Sequence, residues 1–285
     1  MKTRITQLFI AALTLLITST QLIAQQDNWA RPFPGFRVIG DIYGVGNYDL
    51  SVFLITSDAG HILINTGLED STQLIRDNMA TLGFDMEDIS ILLTQKAHWD
   101  HTAAMAEIRE ISGAEMWATV GDAKVMIDGG FSDPHFGGRE SFRPVVVDKI
   151  IRDGEVIELG DIRLTVHDHP GHTEGSSSYS MQVSEAGRDY QVLIANMGTI
   201  NAGKQLTVDP TYPRVSEDFA NTYRKQKAMD VDVWVAAHAS QYNFHEKYQV
   251  GQAYSPNTFV DPAGFVRAVE RLEQAYQEYI AEEQR

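Results

Sequence analysis

A compact apolar strand, Ile89-Ser90-Ile91-Leu92-Leu93, runs straight into Thr94-Gln95-Lys96-Ala97-His98-Trp99-Asp100-His101, and this junction constrains the chain more than any other feature. Sheets of α/β proteins place ligands on the loops at the carboxyl ends of their strands. His98, Asp100 and His101 offer two imidazoles and a carboxylate within a single turn, and those donors suit Zn²⁺. Because the chain turns there, His98 and Asp100 can point different ways and serve neighbouring ions. Two other segments share this character. His169-Pro170-Gly171-His172-Thr173 lies between predicted strands, with Pro-Gly fixing a tight turn that aims His172 sideways. His238 ends the apolar run Val233-Trp234-Val235-Ala236-Ala237. Three strand ends that each present a histidine require a scaffold whose strands terminate along one rim, and they make a metal centre the expected function of that rim.

Composition narrows the chemistry by exclusion. The 285 residues include no cysteine, which removes disulfides, thiolate zinc sites, CxxC redox chemistry, Cys nucleophiles and a lipid-bearing Cys. The nine histidines are what remains for metal binding. A formal net charge of −16 disfavours sequence-independent binding of nucleic acid, which needs clustered Lys and Arg. A hydrophobic fraction of 43% with 22% charged residues argues against long disorder.

The first 24 residues read as a leader rather than as part of the fold. Lys2 and Arg4 precede an apolar stretch of about ten residues, roughly half of what a bilayer span needs. Thr18-Ser19-Thr20 follow, and Ala24 closes a small-residue cleavage site before Gln25, the layout of a secretory signal peptide. Its removal leaves residues 25–285 as one domain, periplasmic or secreted and free of the membrane.

Strands and helices alternate along that domain. Strands are expected at 36–45, 50–56, 61–65 and 89–93, then at 155–159, 162–168, 177–183, 190–195 and 231–237. Helices are expected at 70–82, 103–112, 120–128 and 215–227, with a terminal helix from 262 whose Phe265, Val269, Leu272, Tyr276 and Ile280 recur every three or four residues. Strands then helices, twice over, fit a four-layer αββα sandwich with helices outside two facing sheets.

His98-x-Asp100-His101 after a strand, Gly171-His172-Thr173 and the distal His238 together resemble the metallo-β-lactamase superfamily, over roughly residues 36–247. The resemblance extends to subclass B3. It is carried by Ile62-Leu63-Ile64-Asn65-Thr66-Gly67, His169 to Ser176, Leu193-Ile194-Ala195-Asn196-Met197-Gly198 and His238-Ala239-Ser240-Gln241. The strings look closest to the branch with Gln at the first ligand position and Met where most members have Ser. The other subclasses place a Cys in the second zinc site, so a chain without Cys can resemble only the His/Asp version. What the resemblance implies is a metallo-β-lactamase-like αββα sandwich with a zinc on position 96, His98 and His172, and a second on Asp100, His101 and His238. It also implies a zinc-bound hydroxide that attacks the β-lactam carbonyl, with Asp100 orienting the nucleophile.

Several positions depart from that pattern. Position 96 is Lys where most members have His, and an ammonium among ligands repels a cation. Lys96 either loses its proton and ligates as an amine, or stays charged and leaves one zinc on Asp100, His101 and His238. The second outcome is the expectation, with the ammonium steadying the carbonyl oxyanion or the substrate carboxylate. A third reading has Lys96 pointing to solvent beside a damaged site. Asn65 replaces a carboxylate of the superfamily, and Met197 replaces a polar residue. Thr199 aligns with a Ser that contacts the substrate carboxylate. His167 and His169 read as structural, His61 as a turn residue and His245 as packing. His135 would edge the active-site loop without ligating a metal. Trp99, Tyr43, Phe131 and Tyr242 are candidates for pocket walls, with packing the plainer role for each. The first expectation is an exported zinc β-lactamase. Alternatives are a lactone or thioester hydrolase of the same fold, or a zinc-binding scaffold in which Lys96 and Asn65 have removed catalysis.

Overall fold

Residues 28–285 are described by the computed structural model, so the expected leader lies outside the described residues. The first half of the chain lays down seven strands that neighbour one another in sequence order. They are β1 Phe36–Ile39, β2 Ile42–Gly44, β3 Phe53–Ser57, β4 Gly60–Ile64, β5 Ile89–Leu93, β6 Glu115–Thr119 and β7 Lys149–Ile151. β1 to β4 pair antiparallel and β4 to β7 parallel. The second half builds a five-stranded sheet in the order β12-β11-β10-β9-β8. Its strands are β8 Val156–Leu159, β9 Ile162–Asp168, β10 Ser177–Glu185, β11 Arg188–Ala195 and β12 Val233–Ala236, with only β11–β12 parallel.

Both faces of the first sheet are covered, which is why its strands read as almost unbroken apolar runs. Ile62 and Ile64 of β4 and Ile91 and Leu93 of β5 face the core between the sheets. Leu63 and Leu92, one residue out of phase, join the core beneath the helices α1 Thr72–Leu82, α3 Met105–Ser112 and α4 Val120–Asp128. The short α2, Trp99–Thr102, precedes α3 at the sheet's edge. On the far side, α5 Val215–Lys227 and α7 Pro262–Glu283 bury Phe219, Tyr223, Phe265, Val269 and Tyr276 against the second sheet. Each such side chain contributes roughly 1.5–3 kcal/mol by leaving water. The four expected layers are therefore present, and the one-turn α6, Phe244–Lys247, packs its Phe244 on Phe36 of β1 and on Phe259.

Sequence periodicity located 89–93, 120–128, 162–168 and 215–227 to the residue, and it differs from the structure where a turn or an edge intervenes. The expected strand 36–45 is a hairpin, broken at Gly40 with φ 53°. The expected helix 103–112 is α3, starting two residues later at Met105, and the separate turn α2 before it was not expected. β6 and β7 were not expected: Glu115-Met116-Trp117 reads as mixed, and β7 is three residues at a sheet edge. His61 lies in β4 with its ring edge-on to Phe84, not in a turn. No helix among the described residues is long and apolar enough to cross a membrane.

Candidate metal centre

Every histidine singled out at a strand end reaches one rim, and the local chain explains how. The loop after β5 is stitched down before it reaches His98. Asn65 adopts a left-handed conformation (φ 65°) that asparagine tolerates. It accepts the Gln95 N–H at 3.0 Å and donates to Gln95 Oε1 at 2.9 Å. From the facing sheet, the Tyr179 hydroxyl donates to the Thr94 carbonyl at 2.8 Å. His98 is then extended at the N-cap of α2 (φ −112°), and the Thr102 hydroxyl donates to its carbonyl at 2.8 Å. The change from extended to helical backbone sends His98 one way and Asp100 and His101 the other.

His172 is aimed by a turn in which Gly171 has φ 127°; a Cβ there would sit 2.7 Å from the Phe219 ring. Asp122, in the first turn of α4, ties this turn to the His98 loop. Its carboxylate accepts from Ala97 N–H at 2.8 Å, the Thr173 hydroxyl at 3.0 Å and Gly175 N–H at 3.0 Å. Behind the turn, buried Lys204 donates from Nζ to the His172 carbonyl at 3.0 Å. His238 stands two residues after the end of β12, and Ser51 N–H bonds the intervening Ala237 carbonyl at 2.9 Å.

Two donor clusters result. In one, Asp100 Oδ2 lies 3.1 Å from His101 Nε2 and 3.5 Å from His238 Nε2. One ligand atom from each of these three residues falls within 4.8 Å of the others. Asp49 stands behind it, with Oδ2 3.3 Å from His238 Nδ1. In the other cluster, His98 Nδ1 and His172 Nε2 face each other at 3.1 Å. The far nitrogens of both rings meet acceptors: His98 Nε2 is 3.3 Å from Asp133 Oδ2 in a bent geometry, and His172 Nδ1 is 2.7 Å from the Thr199 carbonyl. His172, donating from Nδ1, presents the Nε2 lone pair inward to His98 Nδ1, and the two nitrogens need a proton or a cation between them. Both clusters fit zinc by the chemistry of their donors.

Protonation states agree with that reading. Against the cost of burial, the neighbouring His101 and His238 hold the Asp100 carboxyl well below its ordinary range. Burial pushes His101 down to about 3, and burial with the Lys96 charge pushes His172 down as well. Neutral imidazoles beside an ionised carboxylate are what a metal binds. His238 is the exception: hydrogen bonds to Asp100 and Asp49 outweigh burial and raise it.

Lys96 is 1% exposed and its Nζ has no hydrogen-bond partner. Burial pushes it down to about 8, with Asp100 and Asp122 holding it up. The solvent-facing reading is thereby excluded. Lys96 lies behind the ligands, outside the lining of the cavity into which His98, Asp100, His172 and His238 open. That cavity, about 350 Å³, has aromatic walls in Trp29, Trp99 and Phe136, and Thr199 lines it too.

Other candidates fall elsewhere. His167 and His169 stack on the second sheet, and His169 Nδ1 bonds the Ser178 hydroxyl at 2.6 Å. His245 stacks on Tyr48. His135 packs against Phe136 on the loop beside the cavity. Tyr43 packs on Phe84, Tyr242 on Trp234, and Phe131 is 68% exposed. Asp49, Asp122, Asp133, Trp29 and Phe136 escaped sequence reading. Each lies in a stretch whose polar residues read as turn or cap, and nothing local distinguishes a carboxylate that meets an imidazole from one that meets water.

Comparison with known proteins agrees with these features. Residues 46–184 match the family described as the metallo-beta-lactamase superfamily. Among solved structures, the class B3 di-zinc metallo-beta-lactamase LRA-12 from an Alaskan soil metagenome is 43% identical with a TM-score of 0.85, covering 88% of this chain and 96% of that one. The metallo-beta-lactamase GOB-18 from Elizabethkingia meningoseptica is 39% identical with a TM-score of 0.87, covering 90% and 95%. The subclass B3 enzyme BJP-1 of Bradyrhizobium japonicum is 33% identical with a TM-score of 0.85, covering 90% and 97%.

Proposed function

The chain belongs to the metallo-beta-lactamase superfamily, in class B3, and on that premise we propose that it is a zinc-dependent hydrolase that opens the amide of β-lactams. The observation that carries the proposal is the convergence of Asp100, His101 and His238 within 4.8 Å, with Asp100 and His238 lining a cavity of about 350 Å³, at the lower end of the size range for small-molecule sites.

Zinc bound there supplies Lewis acidity, which polarises an amide carbonyl and acidifies water near neutral pH. The remaining work belongs to side chains. Asp100 is ionised and orients the attacking water by accepting its hydrogen bond. Trp29, Trp99 and Phe136 hold the bicyclic substrate and exclude bulk water, which strengthens every charge interaction in the site. Thr199 fixes the His172 ring through its carbonyl and offers its hydroxyl to the substrate carboxylate. Lys96 acts from behind the ligands, where its charge favours an oxyanion in the cavity.

The proposed metal content is one tightly held zinc, on Asp100, His101 and His238, because a charged Lys96 repels a second ion. A second reading has its own support. The facing ring nitrogens of His98 and His172, with Lys96 pushed down to about 8, favour a second zinc taken with an unprotonated Lys96. Zinc analysis of the purified protein separates them: the one-zinc reading expects one ion per chain, rising to two in Lys96→His, and two in the wild type decides for the second reading. Turnover is expected on a penicillin and a carbapenem and is expected to vanish in chelator. Activity on an acyl lactone alone would overturn the β-lactamase assignment, and an inactive wild type rescued by Lys96→His would favour an impaired scaffold. We further propose export with cleavage after Ala24; protein recovered from the periplasm should begin at Gln25.

A further inference from the structure

The carboxylate of Asp49 makes more directed contacts than a turn residue needs. Oδ2 lies 3.3 Å from His238 Nδ1 and accepts the Trp29 indole N–H at 3.1 Å. Oδ1 accepts Ser240 N–H at 2.8 Å, and the Asp49 carbonyl accepts Ala239 N–H at 2.7 Å. The Asp49 side chain is only 13% exposed. The partners come from two distant parts of the chain. His238 is one of the zinc donors, and Ser240 belongs to the single turn that follows it. Trp29 stands near the start of the described chain; its ring is 5.7 Å from Trp99 and 5.5 Å from His238, and all three face the cavity.

We propose that Asp49 is a positioning residue that couples zinc affinity to the shape of the substrate pocket, by fixing the His238 tautomer with one contact and the Trp29 wall with another. This rests on the assignment of His238 as a zinc ligand. A carboxylate accepts only, so it holds the proton of His238 on Nδ1 and leaves Nε2, the nitrogen facing Asp100, free to bind metal. Carboxylates in this position raise the basicity of a ligating imidazole, and losing one costs 10–100-fold in metal affinity. The same oxygen receives the Trp29 N–H, so the wall is registered to the ligand rather than merely packed beside it.

Three measurements test the coupling. Chelator competition on Asp49→Asn, which keeps an acceptor oxygen for Ser240 N–H but puts an NH2 group where Oδ2 faces His238 and Trp29, should show zinc affinity about 10–100-fold weaker, with the melting temperature of the metal-free protein near that of the wild type. Trp29→Phe removes the indole donor but keeps an aromatic wall. It should raise KM for β-lactams more than it changes zinc affinity, whereas a truncation of packing alone would leave KM near the wild-type value. Imidazole ¹⁵N spectra of the zinc-loaded wild type need no variant to fold and should find His238 protonated on Nδ1. Wild-type zinc affinity in Asp49→Asn, or His238 protonated on Nε2, overturns the proposal. His238→Ala separates this from failure of the site assignment: if that variant also binds zinc like the wild type, His238 is not a ligand and the metal-site reading falls instead.

Discussion

At the scale of single residues, the rim depends on acceptors that decide which nitrogen of each imidazole faces inward. Asp133, the Thr199 carbonyl and Asp49 do this for His98, His172 and His238. Each bears on whether a histidine presents a lone pair or a proton to the rim. The same logic governs a histidine away from the metal. His169 is buried on the second sheet, where burial, aided by His167 and Lys225, pushes it down to about 3, and the Ser178 hydroxyl donates to its Nδ1. Its folded-state pKa lies below its unfolded value of about 6.5, so the unfolded chain binds more protons between those limits. The stability it contributes is therefore complete above pH ~6.5 and is lost as pH falls towards 3. One such group is worth on the order of 3 kcal/mol between pH 6.5 and pH 4. Asp122, raised to about 6 by burial, works in the opposite sense over part of that range, so the variant difference is the useful quantity. Urea denaturation of metal-free His169→Gln should show a smaller loss of stability from pH 7 to pH 4 than the wild type; an equal loss would show that His169 takes up its proton in the folded state.

Elements divide the labour between ligand placement and support. The strands end together because parallel pairing of β4–β7 and of β11–β12 fixes their carboxyl ends at one edge, and the loops there carry the ligands. The loop of residues 129–138 supplies a wall rather than a ligand. Asp133 folds it by accepting from the N–H groups of His135 at 2.9 Å and Phe136 at 2.6 Å, and the same carboxylate faces His98. Helix α7 covers the second sheet and contributes no residue to the cavity lining. It starts with Asp261 as N-cap, accepting from Gly264 N–H at 2.8 Å, and with Pro262 in the first turn. Asp261→Ala should therefore cost about 1–2 kcal/mol of stability while leaving zinc affinity as it was. Thermal unfolding and chelator competition on the same sample check both halves, and a change in zinc affinity would mean that α7 reaches the metal centre.

Across the whole molecule, hydrophobic patterning and metal chemistry could be read from the chain to different depths. Strands β5 and β9 and helices α4 and α5 were legible to the residue because an amphipathic or fully apolar run records its own period. The hairpin at Gly40 and the edge strand β7 were not, since pairing partners rather than local pattern define them. Candidate ligands were legible because His98, Asp100, His101, His172 and His238 sit at strand ends, and fold geometry sends strand ends to one place. The sequence by itself determined the donor types, the absence of thiolate and the four-layer order. Only the tertiary structure decided which carboxylate faces which imidazole and that Lys96 is buried without a partner. The physical reason is that tautomer and pKa depend on groups within a few ångströms, and residues as far apart in the chain as Asp49 and His238 become such neighbours only once the two sheets close on each other.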